Sequence, residues 1–340
     1  MLIILKIAHG ILMASISNKK KLGFLTRLLD NTTAEERYRI ALEQIILAEK
    51  LGYDNAWIAQ HHFDRDEGGL PSPFVFLAAA GQATQNITLG TAVITLSFEN
   101  PLRVIEDATV LNLMHNQRLE LGLGSGATDA TFAGFGLHAE NRRDIFTEHF
   151  TRFQEILDNK QQLYPVPDKL SQKTWLATFS TQGAALAGAA GYGLMLSRTQ
   201  PRVKGSEQSL TEMQHRIIDH YLAALPVGAE PRIMVSRTVL VVDENSEGQQ
   251  WLNDFIRQFE QKYADPASQN YYALNEFTTL KDAYYGTPEQ VKVLLAEDSV
   301  LERATHIAFQ SHTIEPDYKV SNRSLELLMQ HVVKDLGWKG

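Results

Sequence analysis

Two adjacent histidines stand in the run Gln60-His61-His62-Phe63-Asp64, directly after a short apolar segment. In extended backbone, neighbouring side chains point to opposite sides. One imidazole can then face a cavity while the other packs away from it. An imidazole so placed can take a proton or donate to an oxyanion. The same pair also suits two hydrogen-bonded structural histidines. A metal set that adds Asp64 and Asp66 lacks a further histidine or carboxylate at a matching strand end. Three other clusters carry anion chemistry. Gly122, Gly124, Ser125 and Gly126 form a glycine-rich turn whose free amides can hold an anion, or which simply needs positive φ. Ser180, Thr181, Gln182 and Gly183 read as a helix start, either an ordinary cap or a phosphate seat. Arg142 and Arg143 can clamp a phosphate bidentately or remain solvated.

These clusters matter together only if one scaffold brings them to one face. The chain alternates apolar, β-branched runs with helical periodicity about eight times. Strands are expected at residues 3–14, 55–60, 86–96, 118–123, 175–178, 193–197, 232–242 and 306–310. Helices are expected near 33–51, 74–85, 102–116, 141–163, 181–190, 207–224, 246–263, 288–297 and 321–336. Thr33 caps the first, Gly52 ends it, and Pro101 opens the third. Alternation of this kind implies a parallel sheet with crossover helices, and eight units favour closure into a (β/α)8 TIM barrel. An open doubly wound sheet is the rival, weakened because no G-x-G-x-x-G follows the first strand. A single domain over residues 1–340 is expected. Residues 264–287, with Tyr271, Tyr272, Tyr284 and Tyr285, form an insertion before the last strand. It covers the active-site face or is a packed surface excursion. In such a barrel the site lies at the C-terminal strand ends, where all four clusters fall. A histidine, a glycine-rich turn and anion-ready groups on one face suit a phosphate-bearing cofactor with a reactive ring.

Bulk properties bound the reading. The 340 residues suffice for one large barrel, and 44% hydrophobic content supports a large core. A formal net charge of −8 speaks against nucleic acid, which wants a basic face, and is compatible with a cytoplasmic enzyme. The absence of cysteine excludes disulfides, thiolate metal sites and a cysteine nucleophile. The N-terminal apolar run is broken by Lys6, His9 and Gly10 and reads as a buried strand rather than a signal segment. No uninterrupted apolar stretch is long enough to span a membrane.

From residue 53 to residue 143 the chain resembles the bacterial luciferase-like flavin monooxygenases. The resemblance rests on YDNAWIAQHHF, on Thr91-Ala92, on Asn100-Pro101-Leu102-Arg103 with Glu106-Asp107, on the strand entering residues 121–126, and on FGLHAENRR. It is specific over the first 145 residues and weak after about residue 200. The resemblance implies reduced FMN at the strand C-termini, with its ring over Ala92 and Val93 at a non-proline cis peptide. It implies His61 as the catalytic histidine and Arg143 as a phosphate ligand. Ser180, Thr181 and Gln182 would hold the phosphate through their amides, with Ser197 and Arg198 beside the ring. Gly124 and Ser125 occupy positions where luciferase proper has a reactive cysteine and a phosphate-binding arginine, and Gln60 replaces the acid usual before the two histidines. These departures speak against light emission. The implied reaction uses O2 through a flavin C4a-peroxide on a small organic substrate, with FMN reduced by a separate reductase. A homodimer through the face of helix 102–116 is implied. The rivals are an F420 (deazaflavin)-dependent oxidoreductase, which the −8 charge disfavours, and a non-catalytic flavin-binding paralogue.

Overall fold

The computed structural model describes residues 19–200, 208–264, 283–311 and 317–339. Eight parallel strands close into a barrel: β1 (Lys21–Thr26), β2 (Asn55–Ile58), β3 (Thr88–Thr91), β5 (Leu119–Gly124), β6 (Thr174–Ala177), β7 (Gly193–Leu196), β8 (Ile233–Val241) and β10 (His306–Gln310). Each pairs with the next, and β10 closes the ring by pairing with both β8 and β1. The short β4 (Ile94–Thr95) continues β3 and pairs with β5. Outside the ring, β9 (Ala283–Gly286) pairs with the far half of β8.

The helices that wrap the barrel are α1 (Ala34–Leu51), α2 (Pro73–Ala83), α3 (Pro101–Met114), α4 (Asp129–Gly134), α5 (Arg142–Asp158), α6 (Thr181–Ala189), α7 (Leu210–Ala224), α8 (Ser246–Ala264), α9 (Pro288–Glu297), α10 (Ser299–Arg303) and α11 (Tyr318–Leu327). Their ends follow the local sequence. Thr33 caps α1 by accepting from the Glu36 amide, and Gly52 closes it at φ 86°, a left-handed value that glycine adopts without steric cost. Asn100 caps α3 ahead of Pro101. The Asn-Pro and Glu-Asp elements of the family pattern are thus helix-building here, since Arg103 pairs with Glu106 and Asp107 on the exposed face of α3.

The lumen is filled, not hollow. Trp57 and Trp175 meet edge to face at 5.9 Å within a layer that includes Leu25, Met195, Met234 and Ala308. Room for the indoles comes from glycines on adjacent strands. A Cβ on Gly90 would lie 2.1 Å from Trp57, and one on Gly193 would lie 2.2 Å from Trp175. The alternate strand residues, such as Leu22, Phe24, Ile58, Leu121 and Val235, point outward into the main helix-covered core.

Three expectations need correction. The first strand of the barrel is Lys21–Thr26, while residues 3–14 lie outside the described residues. The strand expected over 86–96 is split between β3 and β4 by a cis peptide at Ala92–Val93. Within 264–287, residues 283–286 form β9 and put Tyr284 against Asp298 at 2.6 Å. Tyr271 and Tyr272 lie outside the described residues.

Candidate active site

The C-terminal ends of the strands surround a shallow floor made by Ala92, Val93 and Ala177, which rest on the tryptophan and methionine layer. The expected cis peptide is at Ala92–Val93. Gly122 and Gly124 are small for a packing reason. A Cβ on Gly122 would strike the Thr91 carbonyl at 2.1 Å, and one on Gly124 would press on Val93 at 2.7 Å. Of the glycine-rich turn, Gly126 takes positive φ, at 78°. Ser125 accepts the Ser97 hydroxyl at 2.9 Å through its carbonyl.

His61 follows β2, its amide donating to Leu70 O at 3.0 Å. Its Nδ1 is buried without a hydrogen-bond partner among the described residues, packed where a Cβ on Gly68 would come within 2.4 Å. Burial first, then the charges of Arg27, His62 and Arg198, push the His61 pKa down to about 3. The imidazole is therefore neutral at physiological pH, better placed as a hydrogen-bonding group than as a resting proton acceptor. His62 departs from it, packing edge-on to Phe135 at 4.9 Å and Phe98 at 6.1 Å. Burial lowers its pKa as well. Asp64 and Asp66 are exposed; the Asp64 carboxylate accepts the Asp66 amide at 2.8 Å, and Asp66 lies 3.5 Å from Arg65.

Gln60 explains why an amide precedes the histidines in place of an acid. Its Nε2 donates to Glu99 at 2.6 Å, and its Oε1 accepts from the Thr95 amide at 2.7 Å. Its own amide donates to Val93 O at 3.3 Å. Burial raises the Glu99 pKa, the Gln60 amide opposes that, and Asp107 adds to it. A carboxylate at position 60 would face another across the same contact and lose the Nε2 donor that reaches Glu99 and the Pro71 carbonyl.

On the opposite wall, Arg198 follows β7 with 6% of its surface exposed. Its Nε donates to Gln310 at 2.8 Å and its Nη1 to Thr238 at 3.3 Å, while its amide donates to Ser236 Oγ at 2.8 Å. Ser197, half-buried, bonds Thr199 at 3.1 Å. Further buried polar atoms at this end without partners among the described residues are Gln200 Oε1, Ser311 Oγ, His62 Nε2 and the Asp30 carboxylate oxygens.

The phosphate candidates lie on the rim. Ser180 caps α6 by accepting the Gly183 amide at 3.1 Å, which leaves the amides of Thr181 and Gln182 at the first turn. Arg143 is exposed in the first turn of α5. Its neighbour Arg142 is engaged, pairing with Asp129 and lying 5.3 Å above the Phe132 ring. Sequence reading missed Gln200, Gln310 and Ser311 altogether. The available signal was polar residues at the C-terminal ends of otherwise apolar strands, as in Ser236 and Thr238 within β8.

The family model for the luciferase-like monooxygenases matches residues 23–309. This chain belongs to that family. The uncharacterized protein y4vJ of Sinorhizobium fredii is 26% identical over 88% of this chain and 93% of its own length. The alkanal monooxygenase alpha chain of a Kryptophanaron alfredi symbiont is 33% identical, but over 30% of this chain and 29% of its own length. Among solved structures, the oxygenating constituent of 3,6-diketocamphane monooxygenase from Pseudomonas putida, in complex with FMN, superposes with a TM-score of 0.74. The identity is 18%, over 93% of this chain and 98% of that one. An F420-dependent secondary alcohol dehydrogenase reaches 0.67 at 16% identity, over 92% and 98% of the two chains. At such identities the two structures speak to the fold. Family membership places this chain among oxidoreductases of the luciferase-like class, whose structural neighbours use FMN or F420.

Proposed function

We propose that this protein is an FMN-dependent monooxygenase that uses O2 to oxidise a small organic substrate at the C-terminal mouth of the barrel. The observation that carries the reading is the set of buried polar atoms without partners among the described residues, including His61 Nδ1, Gln200 Oε1 and Ser311 Oγ, gathered where the strands end around an apolar floor. A buried polar atom left unsatisfied costs about 1–3 kcal/mol, so such a set marks a place where a ligand completes the bonding. A planar ring with a polar edge fits floor and rim.

Reduced FMN bound there would supply two electrons for activating O2. Its phosphate would meet the amides of Thr181 and Gln182, with Ser180 fixing the turn and Arg143 adding charge. Val93, backed by Gly124, and Ala92 would support the ring, with Ser125, Ser197 and Arg198 at its margin. His61, neutral in the folded protein, would donate a hydrogen bond to oxygen charge as it develops. The apolar floor and the aromatic cluster of Phe98, Phe132 and Phe135 would keep water out.

A separate reductase supplies the reduced flavin in this reading, and the protein works in the cytoplasm. A homodimer would form through the outer face of α2 and α3, where Val75, Leu102, Val110, Leu113 and Met114 are exposed apolar residues. Sedimentation of the wild type against Leu113→Glu tests that assembly; a monomeric wild type removes it. The second reading is an F420-dependent hydride-transfer enzyme, favoured by the likeness to the F420-dependent dehydrogenase. Titration with FMN and with F420, followed by rapid mixing of the reduced complex with O2, separates the two. Tight binding of FMN and substrate-dependent oxygen uptake support the monooxygenase. Binding of F420 alone, or of neither, overturns it.

A further inference from the structure

Three arginines are buried among the described residues, Arg37, Arg198 and Arg237; Arg198, just after β7, and Arg237, on the neighbouring β8, are treated differently. Arg237, on β8, is fully buried and faces outward. Its Nε meets Asp298 at 2.7 Å, and the Tyr284 hydroxyl donates to the same carboxylate at 2.6 Å. Arg198 faces the lumen and is nearly as buried. Its side-chain partners are an amide oxygen and a hydroxyl, Gln310 Oε1 and Thr238 Oγ1. No carboxylate pairs with Arg198 among the described residues. A guanidinium withdrawn from water without a counter-charge is costly, and proteins compensate such charges by pairing.

We propose that Arg198 is a substrate-recognition residue that seats an anionic oxygen, a carboxylate carried by the organic substrate. The partners already in place orient the guanidinium while leaving its charge uncompensated, so the missing anion comes from the ligand. The neighbours suit such a group. Ser311, next in sequence to Gln310, holds a buried hydroxyl with no partner that can donate to a second carboxylate oxygen. The charge of Arg198 also reaches His61, where it acts with Arg27 and His62 to hold the imidazole neutral. An anion on Arg198 would reverse part of that field and raise the His61 pKa. Substrate binding and histidine protonation are thereby coupled.

The inference rests on the monooxygenase reading only for the claim that the bound acid is the substrate. The test uses the full-length protein with FMN present and absent. The probes are acetate, butyrate, octanoate and phenylacetate, each compared with its primary amide. Calorimetry is expected to show the acids binding roughly tenfold to hundredfold more tightly than the amides. Arg198→Gln should erase that preference, and Arg198→Lys should keep part of it. The His61 imidazole, followed by 15N NMR, should titrate at higher pH in the acid complex and not in the amide complex. Equal binding of acid and amide to the wild type overturns the proposal, whether or not Arg198→Gln folds. So does a preference that survives in Arg198→Gln. An Arg198→Gln effect confined to reduced over oxidised FMN assigns the arginine to the flavin ring instead, and also overturns it. FMN affinity, read from the same samples, judges the monooxygenase reading separately. Loss of FMN binding with the acid preference intact would leave the anion seat standing and the flavin reading refuted.

Discussion

At the N-terminal end of the barrel, Lys21 and Lys339 both reach Asp54, at 3.4 and 2.7 Å, and Arg232 lies 3.9 Å from Glu120. Arg232 also covers the Trp175 ring at 4.9 Å. His306, whose pKa is pushed down to about 4 by burial and by Arg232 and Lys21, bonds to Thr305 at 2.9 Å. These charges are answered by opposite charge, while the buried Lys20 amine at the same end donates to the Glu302 and Ala304 carbonyls. At the C-terminal end, Arg198 has no carboxylate among the described residues and His61 Nδ1 has no partner. Both ends belong to the same eight strands and share the same tryptophan layer. The difference shows what each end is for. One is held mainly by ion pairs within the fold, as the stabilising face of such barrels is, with Asn55 Oδ1 as its buried atom lacking a partner among the described residues, and the other is left to be finished by a ligand.

Substitutions that treat the two ends alike should give unlike results. His61→Ala should lower substrate-dependent oxygen uptake by roughly 10²–10⁴-fold while FMN affinity stays within a few-fold. Unchanged uptake would take His61 out of the chemistry. Asp298→Ala strands the Arg237 charge and should cost about 3–5 kcal/mol in urea unfolding. Burial pushes the Asp298 pKa up, but Arg237, the Tyr284 hydroxyl and the Val300 amide together hold it below its usual value. Arg198→Gln, which removes a charge that no carboxylate answers, should cost much less or stabilise. Equal losses from the two substitutions would erase the contrast.

Protonation sharpens the same comparison. Asp30, in the loop after β1, is 3% exposed, and neither carboxylate oxygen has a partner on another residue among the described residues. Burial raises its pKa to about 6. Between pH 4 and 6 the folded form binds more protons at Asp30 than the unfolded chain does, so this group lowers stability as pH rises. Asp30→Asn should gain about 2 kcal/mol relative to wild type between pH 4 and 7. His61 has the opposite sign. Its folded pKa lies below 6.5, so its contribution is present above pH 6.5 and is lost as pH falls toward 3. Unfolding curves at several pH values for Asp30→Asn and His61→Gln should show slopes changed in opposite directions. The smallest effect is expected from Gln60→Glu, about 1–2 kcal/mol at pH 8, shrinking at pH 5 as one of the two facing carboxyls takes a proton. A loss that does not vary with pH would mean that the Gln60–Glu99 contact is not what the substitution disturbs.

The barrel was legible because periodicity survives translation into packing. Runs such as residues 118–123 and 232–242 are predominantly apolar, with Leu119, Leu121, Ile233, Val235 and Val239 facing the helices, and their polar residues Glu120, Ser236 and Thr238 fall on the alternate, lumen-side positions. β1 was illegible for the same reason in reverse. Its inward positions are Lys21, Gly23 and Leu25, the first polar and the second kept small by Trp57, so KLGFLT lacks the apolar continuity of the run at 3–14. The split after Thr91 could not be read from β-propensity, because NITLGTAVITL looks uniform until Gln60 pins Val93 and Thr95. At the site, His61 and the first turn of α6 were legible as residue types at strand ends. The partnership of Arg198 with Gln310 and Thr238 was not, because it joins positions 112 and 40 residues apart and exists only once the ring closes. The family motif Asn100-Pro101 was legible, but what it builds is a helix cap rather than a ligand contact.

The most direct test is a crystal structure of the protein soaked with FMN. The expected result is an isoalloxazine ring lying on Ala92, Val93 and Ala177 within hydrogen-bonding reach of His61, with the phosphate on the amides of Thr181 and Gln182. Flavin bound at the N-terminal cleft beside Asp54 and His306, or an empty C-terminal mouth at saturating FMN, would contradict it.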